Sequence, residues 1–182
     1  MSRTKAARRS LSLVYSYVKS DLGKAAEAYA ELRPLMRGDT QLRAEIGIKY
    51  PWQSNAALAV CLISMREVDQ AAAIVARLAP FHRASDEVWV RARGLVIEAE
   101  LALARGATSN ELRSLIEREM RAPVMDHYPR RRTELRMELG RLRTLSGDTK
   151  NGQRELKQAL HEATASGDLR TARLAQAALD GR

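Results

Sequence analysis

The sequence predicts an all-α chain of successive antiparallel helical hairpins, about 8–10 helices in all. Three observations carry that expectation. Ala, Leu, Arg and Glu dominate, while Gly (10) and Pro (5) are few and aromatics make up only 4% of the 182 residues. Such side chains lose little rotamer freedom in a helix. Short polar turns recur about every 40–46 residues, at Ser20-Asp21, Arg66-Glu67, Gly106-Ala107 and Gly147-Asp148, a spacing suited to helical-hairpin repeats. Apolar residues flank each turn at helical spacing, and period-two strand runs are missing.

The elements follow in chain order. Leu11, Val14, Tyr15 and Val18 form a helical face before the first turn, and Ala25, Tyr29, Leu32 and Met36 form one after it. Leu58, Leu62 and Met65, then Ala71, Val75 and Leu78, flank the second turn. Val88, Ala92, Leu95, Val96 and Ala99, then Leu112, Leu115 and Ile116, flank the third. Leu135, Leu139 and Leu142, then Leu156, Ala159, Leu160 and Ala163, flank the fourth. Each set repeats at i, i+3, i+4 or i+7, which places it on one side of a helix. After Gly167-Asp168, the stripe Leu169, Ala172, Ala175, Ala178 and Leu179 reads as a closing helix. The chain is thus expected to be one domain over 1–182, with hairpins near 5–36, 54–80, 85–121 and 129–164 and a cap over 168–180.

Punctuation fits these limits. Ser85, followed by Asp86 and Glu87, supplies an acceptor and acids for a helix start, and Asp39, Ser54 and Ser109 are further candidate N-caps. Pro80, Pro123 and Pro129 fall between helical patterns. Pro34 interrupts the second stripe, so that helix is expected to kink or end near Arg33. The stretch 37–53 reads as a short helix over 40–48 and then a loop through Tyr50-Pro51-Trp52.

Leu139-Gly140, Gly147-Asp148, Leu156 and Ala159 resemble the tetratricopeptide repeat, as do Leu58-Ala59, Ala71, Val75 and Leu78, and Tyr17, Asp21, Ala25 and Tyr29. In that pattern a small residue lets paired helices approach and a large one fills the facing gap. Arg143 stands where the pattern is usually apolar, Gly152 stands where it usually has Ala, and the third repeat needs a one-residue insertion. The long period is similar to the helical region of bacterial maltose-regulator-type activators, whose nucleotide-binding and DNA-binding domains are not recognisable here. The resemblance implies a right-handed α-solenoid with a concave surface lined by first helices. The carboxylate clamp of chaperone-binding members is not visible, since the corresponding places include Val60, Ser64 and Val96.

The net charge of +9 favours anionic partners, whether an acidic protein surface, nucleic acid or an anionic membrane. Arg3, Lys5, Arg8, Arg9 and Lys19 stand without an acid in the first twenty residues, open to reading as a targeting segment or as a basic first helix. Cys61, the single cysteine, lies in the apolar run 56–63 and reads as a buried thiol of a protein in a reducing cytoplasm. That run is about half of what a membrane span needs, so no insertion is expected. His82, His127 and His161 are far apart, and His161-Glu162 lacks a second His at Ala165, so no metal is expected. No phosphate-cradling loop and no nucleophile signature are present, so neither cofactor nor enzymatic activity is expected.

What remains is binding. Arg130, Arg131, Arg132, Arg136, Arg141 and Arg143 form a second basic cluster, in which positions 132, 136 and 143 share a helical side. Read one way, this is a face for an anionic partner; read the other, it is a solvated face whose arginines pair with Glu138 along the helix. Trp52 is either an exposed aromatic anchor or is tucked onto a neighbouring helix. The sequence therefore points to a protein–protein interaction module, an adaptor, regulatory or assembly subunit, binding through the concave helical surface. Arg132, Arg136, Arg141, Arg143 and Trp52 are the candidate contacts. The alternative is a basic nucleic-acid-binding accessory protein, and self-association through uncapped solenoid ends is a further expectation.

Overall fold

The computed structural model describes residues 51–181, together with Ala26, Glu27 and Ala30, which are helical and exposed. The remaining elements expected in the first fifty residues lie outside the described residues: the hairpin over 5–36 with its turn at Ser20-Asp21, the N-terminal basic set, the Pro34 break, Asp39 and the helix over 40–48. Among the described residues there are seven α-helices, one 3-10 turn and no strand. The helices are α1 (Pro51–Ser64), α2 (Val68–Arg83), α3 (Val88–Ala104), α4 (Asn110–Arg121), α5 (Pro129–Leu145), α6 (Thr149–Ser166) and α7 (Leu169–Leu179), with the 3-10 turn at Pro123–His127. The fold class is all-α. The chain divides into two compact units, Met1–Leu78 and Ala79–Arg182, with the division inside α2.

Four of the connections share one chemistry. At Arg66, Gly106, Gly147 and Gly167 the backbone turns left-handed, with φ of +65°, +63°, +89° and +71°. In each case two amides reach back to close the helix. Glu67 donates to Leu62 at 2.9 Å, Ala107 to Ala102 at 2.9 Å, Asp148 to Arg143 at 2.9 Å and Asp168 to Ala163 at 2.8 Å. This is the Schellman termination, which satisfies carbonyls that the last helical turn leaves open. The turns read from the sequence at these positions are present. Three of the four use Gly, which has no Cβ to clash at positive φ.

In the first unit, α1 buries Trp52, Ala56, Ala57, Ala59, Val60, Cys61 and Leu62, and α2 buries Ala71, Ile74, Val75 and Leu78. Two expectations are corrected here. Pro51 and Trp52 belong to α1 rather than to a loop, so Ser54 lies inside the helix and is not its cap. Pro80 does not separate helices: α2 runs through it to Arg83. The proline sits in the last turn, and the residue whose carbonyl it leaves without an amide, Ala76, is exposed to water.

In the second unit, Ser109 caps α4 as expected, its hydroxyl accepting from the Leu112 amide at 3.3 Å. Helix α3 instead starts after Glu87, and Ser85 serves the approach to it, accepting from the Glu87 amide at 3.2 Å. Pro129 opens α5, where a missing amide costs nothing. Asp168 caps α7, accepting from the Thr171 amide at 3.2 Å and its hydroxyl at 3.0 Å.

Helix α5 is the centre of this unit and packs against α3, α4, α6 and α7. Ala92, Leu95, Val96 and Ala99 of α3 meet Leu112 and Ile116 of α4, Met125, and Leu135, Leu139 and Leu142 of α5. Met137, Leu156, Ala159 and Ala175 form a second cluster joining α5, α6 and α7. Each fully buried large side chain, such as Ile116 or Leu135, contributes about 1.5–3 kcal/mol. Helices α5 and α6 run antiparallel: Thr133 meets Glu162 near one end, and Thr144 and Gly140 face Gly152 near the other. Helices α3 and α4 do the same, with Arg91 reaching Glu119 at 3.0 Å. Leu169 departs from the predicted closing stripe, because its side chain is 81% exposed at the start of α7.

The candidate α5 arginine cluster and the cleft beside it

Helix α5 carries the arginines singled out in the sequence, and each is held by a carboxylate. Arg132 pairs with Asp126 at 2.6 Å. Arg136 reaches Glu155 at 3.0 Å and Glu162 at 3.4 Å. Arg141 reaches Glu138 at 3.0 Å. Arg143 bridges Glu117 of α4 at 2.7 Å and Glu155 of α6 at 3.1 Å. Arg130 reaches Asp168 at 3.0 Å and Glu134 at 3.6 Å, and Arg131 reaches Glu134 at 2.6 Å. Arg136 and Arg143 do share a side, as their spacing implies, but they converge there on Glu155. Only Arg141 pairs with Glu138 along the helix; the others mostly tie α5 to its neighbours. Trp52, the remaining candidate, is 3% exposed within α1.

Two carboxylates of α5 occupy core positions, although the sequence placed Glu138 on a solvated face. Glu134 is 4% exposed and Glu138 fully buried. Burial pushes the Glu138 carboxyl up to about 7, Glu100 of α3 adds repulsion, and the Arg141 and Arg170 guanidiniums pull the other way. Arg170 of α7 meanwhile donates to Glu100 at 3.1 Å. A polar cluster thus joins α3, α5 and α7. The signal for it was present: Glu134, Glu138 and Arg141 follow one another at four- and three-residue spacing, the period of one helical side.

A second polar node ties the end of α2 to α3. His82, 1% exposed, lies 2.6 Å from Glu98, and Arg83 bridges Glu98 and Glu111. Burial pushes the Glu98 carboxyl up, but hydrogen bonds from His82 and Arg83 outweigh it and hold the group below its ordinary range. His82 also rests on Gly94, where any side chain would collide with the imidazole ring.

A concavity of this unit lies where the start of α5, the end of α6 and the α6–α7 turn meet. It is a cleft of about 810 Å³ lined by Pro129, Arg130, Arg132, His161, Gly167 and Leu169, among others. The 67%-exposed Arg130 side chain and the exposed Leu169 give it both charge and apolar surface. Burial pushes Glu162 at its wall up, but donors on Gln158 and Thr133 and the charges of Arg136 and Arg132 hold it below the usual carboxylate range. Among the described residues, no three His, Cys, Asp or Glu are grouped to hold a metal ion, and no helix is long and apolar enough to cross a membrane. Compared with known proteins, the chain matches no family model, no curated protein and no solved structure.

Proposed function

We propose that the chain is a non-catalytic protein–protein interaction module, an adaptor or assembly subunit of tetratricopeptide-like stacked hairpins. The pattern of neighbours in the second unit supports this reading. Helix α3 packs on α4 and on α5, α5 packs on α6 and on α7, and α4 and α6 each pack on the helix that follows them. First helices following one another in this way form a shared face, the kind of surface on which solenoids hold peptides or partner domains.

The observation that carries the reading is the cleft where α5, the end of α6 and the α6–α7 turn meet. Leu169 stands 81% exposed beside Arg130 and Arg132, so an apolar contact is framed by guanidiniums. A partner segment bearing an apolar residue next to a carboxylate fits this chemistry, with the apolar contact giving affinity and the charges orientation. The α5 arginines beyond the cleft act as supports for this face rather than as contacts.

The test is comparative affinity purification with the full chain and with Leu169→Lys, which reverses the character of the cleft without touching a buried side chain. Partners docked in the cleft are enriched by the wild type and lost with Leu169→Lys. An identical set of partners, at identical recovery, overturns the assignment.

A further inference from the structure

We propose that the outward face of α6 is a contact surface for the phosphate backbone of nucleic acid, adjoining the protein-binding cleft at Gln158. Lys150, Arg154 and Lys157 stand at i, i+4 and i+7 on this helix, and all three are exposed. With Thr149, Gln153 and Gln158 they line a shallow depression that contains no carboxylate and no apolar side chain. Neither lysine forms an ion pair with any described residue. Arg154 has only Glu155 at 3.6 Å, and that carboxylate already receives Arg136 at 3.0 Å and Arg143 at 3.1 Å.

The contrast with α5 decides the matter. There every arginine is committed to a carboxylate, whereas on α6 the cations are left facing water. The neighbouring acids are used from below, along the ladder Arg121–Glu117–Arg143–Glu155–Arg154. Its two ends are arginines, 78% and 70% exposed. A protein partner usually wants an apolar or aromatic centre with few lysines. This surface offers the reverse: Lys and Arg with Thr and Gln, the side chains that contact phosphate oxygens in nucleic-acid complexes. From Lys150 to Lys157 the helix advances roughly 10 Å, at 1.5 Å per residue. That matches about three phosphates along one strand. Phosphate contacts carry no sequence information directly, so recognition through this face is independent of base sequence.

The test is fluorescence anisotropy of the full-length chain with labelled single-stranded RNA, single-stranded DNA and duplex DNA of mixed sequence, between about 50 and 200 mM salt. Three phosphate contacts predict affinity falling roughly 40-fold over that range for duplex DNA and roughly 20-fold for single strands. The variant Lys150→Gln/Arg154→Gln/Lys157→Gln is expected to lower the logarithmic salt slope by about 3, one for each cation. The charge-matched control Arg66→Gln/Arg77→Gln/Arg182→Gln keeps the wild-type slope, and circular dichroism checks that all variants remain helical. The proposal is overturned by any of three results. These are no binding by the wild type at low salt, equal losses in variant and control, or polyglutamate competing as well as an oligonucleotide of equal charge. The last would mark a surface for acidic protein instead.

Discussion

Arg170 of α7 donates to Glu100 of α3 at 3.1 Å, joining residues seventy positions apart, and Glu138 of α5 lies buried beside the pair. Two carboxylates therefore share an interior served by Arg141 and Arg170. In the folded chain Glu138 keeps its proton up to about pH 7, whereas the ordinary value is 4.5. The folded state thus binds the extra proton between those values. This contribution to stability is complete below 4.5 and declines as pH rises through 7, by on the order of 3 kcal/mol. Glu98 and Glu162, whose carboxyls are lowered, act oppositely and at more acid pH.

Urea unfolding at pH 5 and pH 8 is therefore expected to show the wild type losing stability at the higher pH. Glu138→Gln keeps an acceptor for Arg141 without a charge to bury. It should be nearly flat over the same interval and more stable than the wild type at pH 8. Parallel behaviour of the two proteins would mean that Glu138 is already ionised at pH 5.

Gly152 should not tolerate alanine, although alanine is the better helix former by about 1 kcal/mol. A Cβ there would stand 2.8 Å from the Gly140 carbonyl oxygen and 2.8 Å from the Thr144 amide nitrogen, and would also meet the Thr144 hydroxyl. Overpacking of this kind costs about 1–3 kcal/mol. Chemical denaturation of Gly152→Ala should show a net loss of roughly 1 kcal/mol. Thr144→Ala should recover only part of it, because the backbone contacts remain.

Arg66 is the one left-handed turn residue among the four that is not glycine. An L-residue in that conformation costs about 1–2 kcal/mol, and glycine gives back about 0.5–1 kcal/mol through its freer unfolded chain. Arg66→Gly is expected to raise stability by about 0.5–1 kcal/mol, read from the midpoint of denaturant unfolding. A decrease would show that the arginine side chain contributes more than its backbone costs.

The local part of the fold was legible in the sequence because local rules govern it. Gly106, Gly147 and Gly167 marked their turns, Ser109 its cap, and the 3.6-residue stripes the buried sides of α3 to α6. Pro80 misled because a proline in an exposed last turn loses only a hydrogen bond that water can replace. Leu169 misled because spacing alone cannot tell whether a neighbour covers the first turn of a helix. The α5 arginines misled most. Their partners lie on other helices, Glu155 twelve and Glu117 twenty-six positions from Arg143, and only the packing brings them together. The exposed cations of α6 escaped notice for the same reason. Lys150, Arg154 and Lys157 look sparser than the α5 run until the carboxylates are paired off.

The division between arginines that hold the fold and cations that face water is tested most directly by comparing the thermal unfolding of Arg143→Glu and Arg154→Glu. Both make the same change in charge, on adjacent helices, at either side of Glu155. Arg143, whose side chain is 17% exposed, would leave Glu117 and Glu155 facing a third carboxylate. The loss should be about 3 kcal/mol, or roughly 8–10 °C in Tm. Arg154, 70% exposed, should move Tm by no more than about 2 °C. Equal melting temperatures for the two variants would contradict the account, leaving the α5 arginines as surface charges rather than the pins of the hairpins.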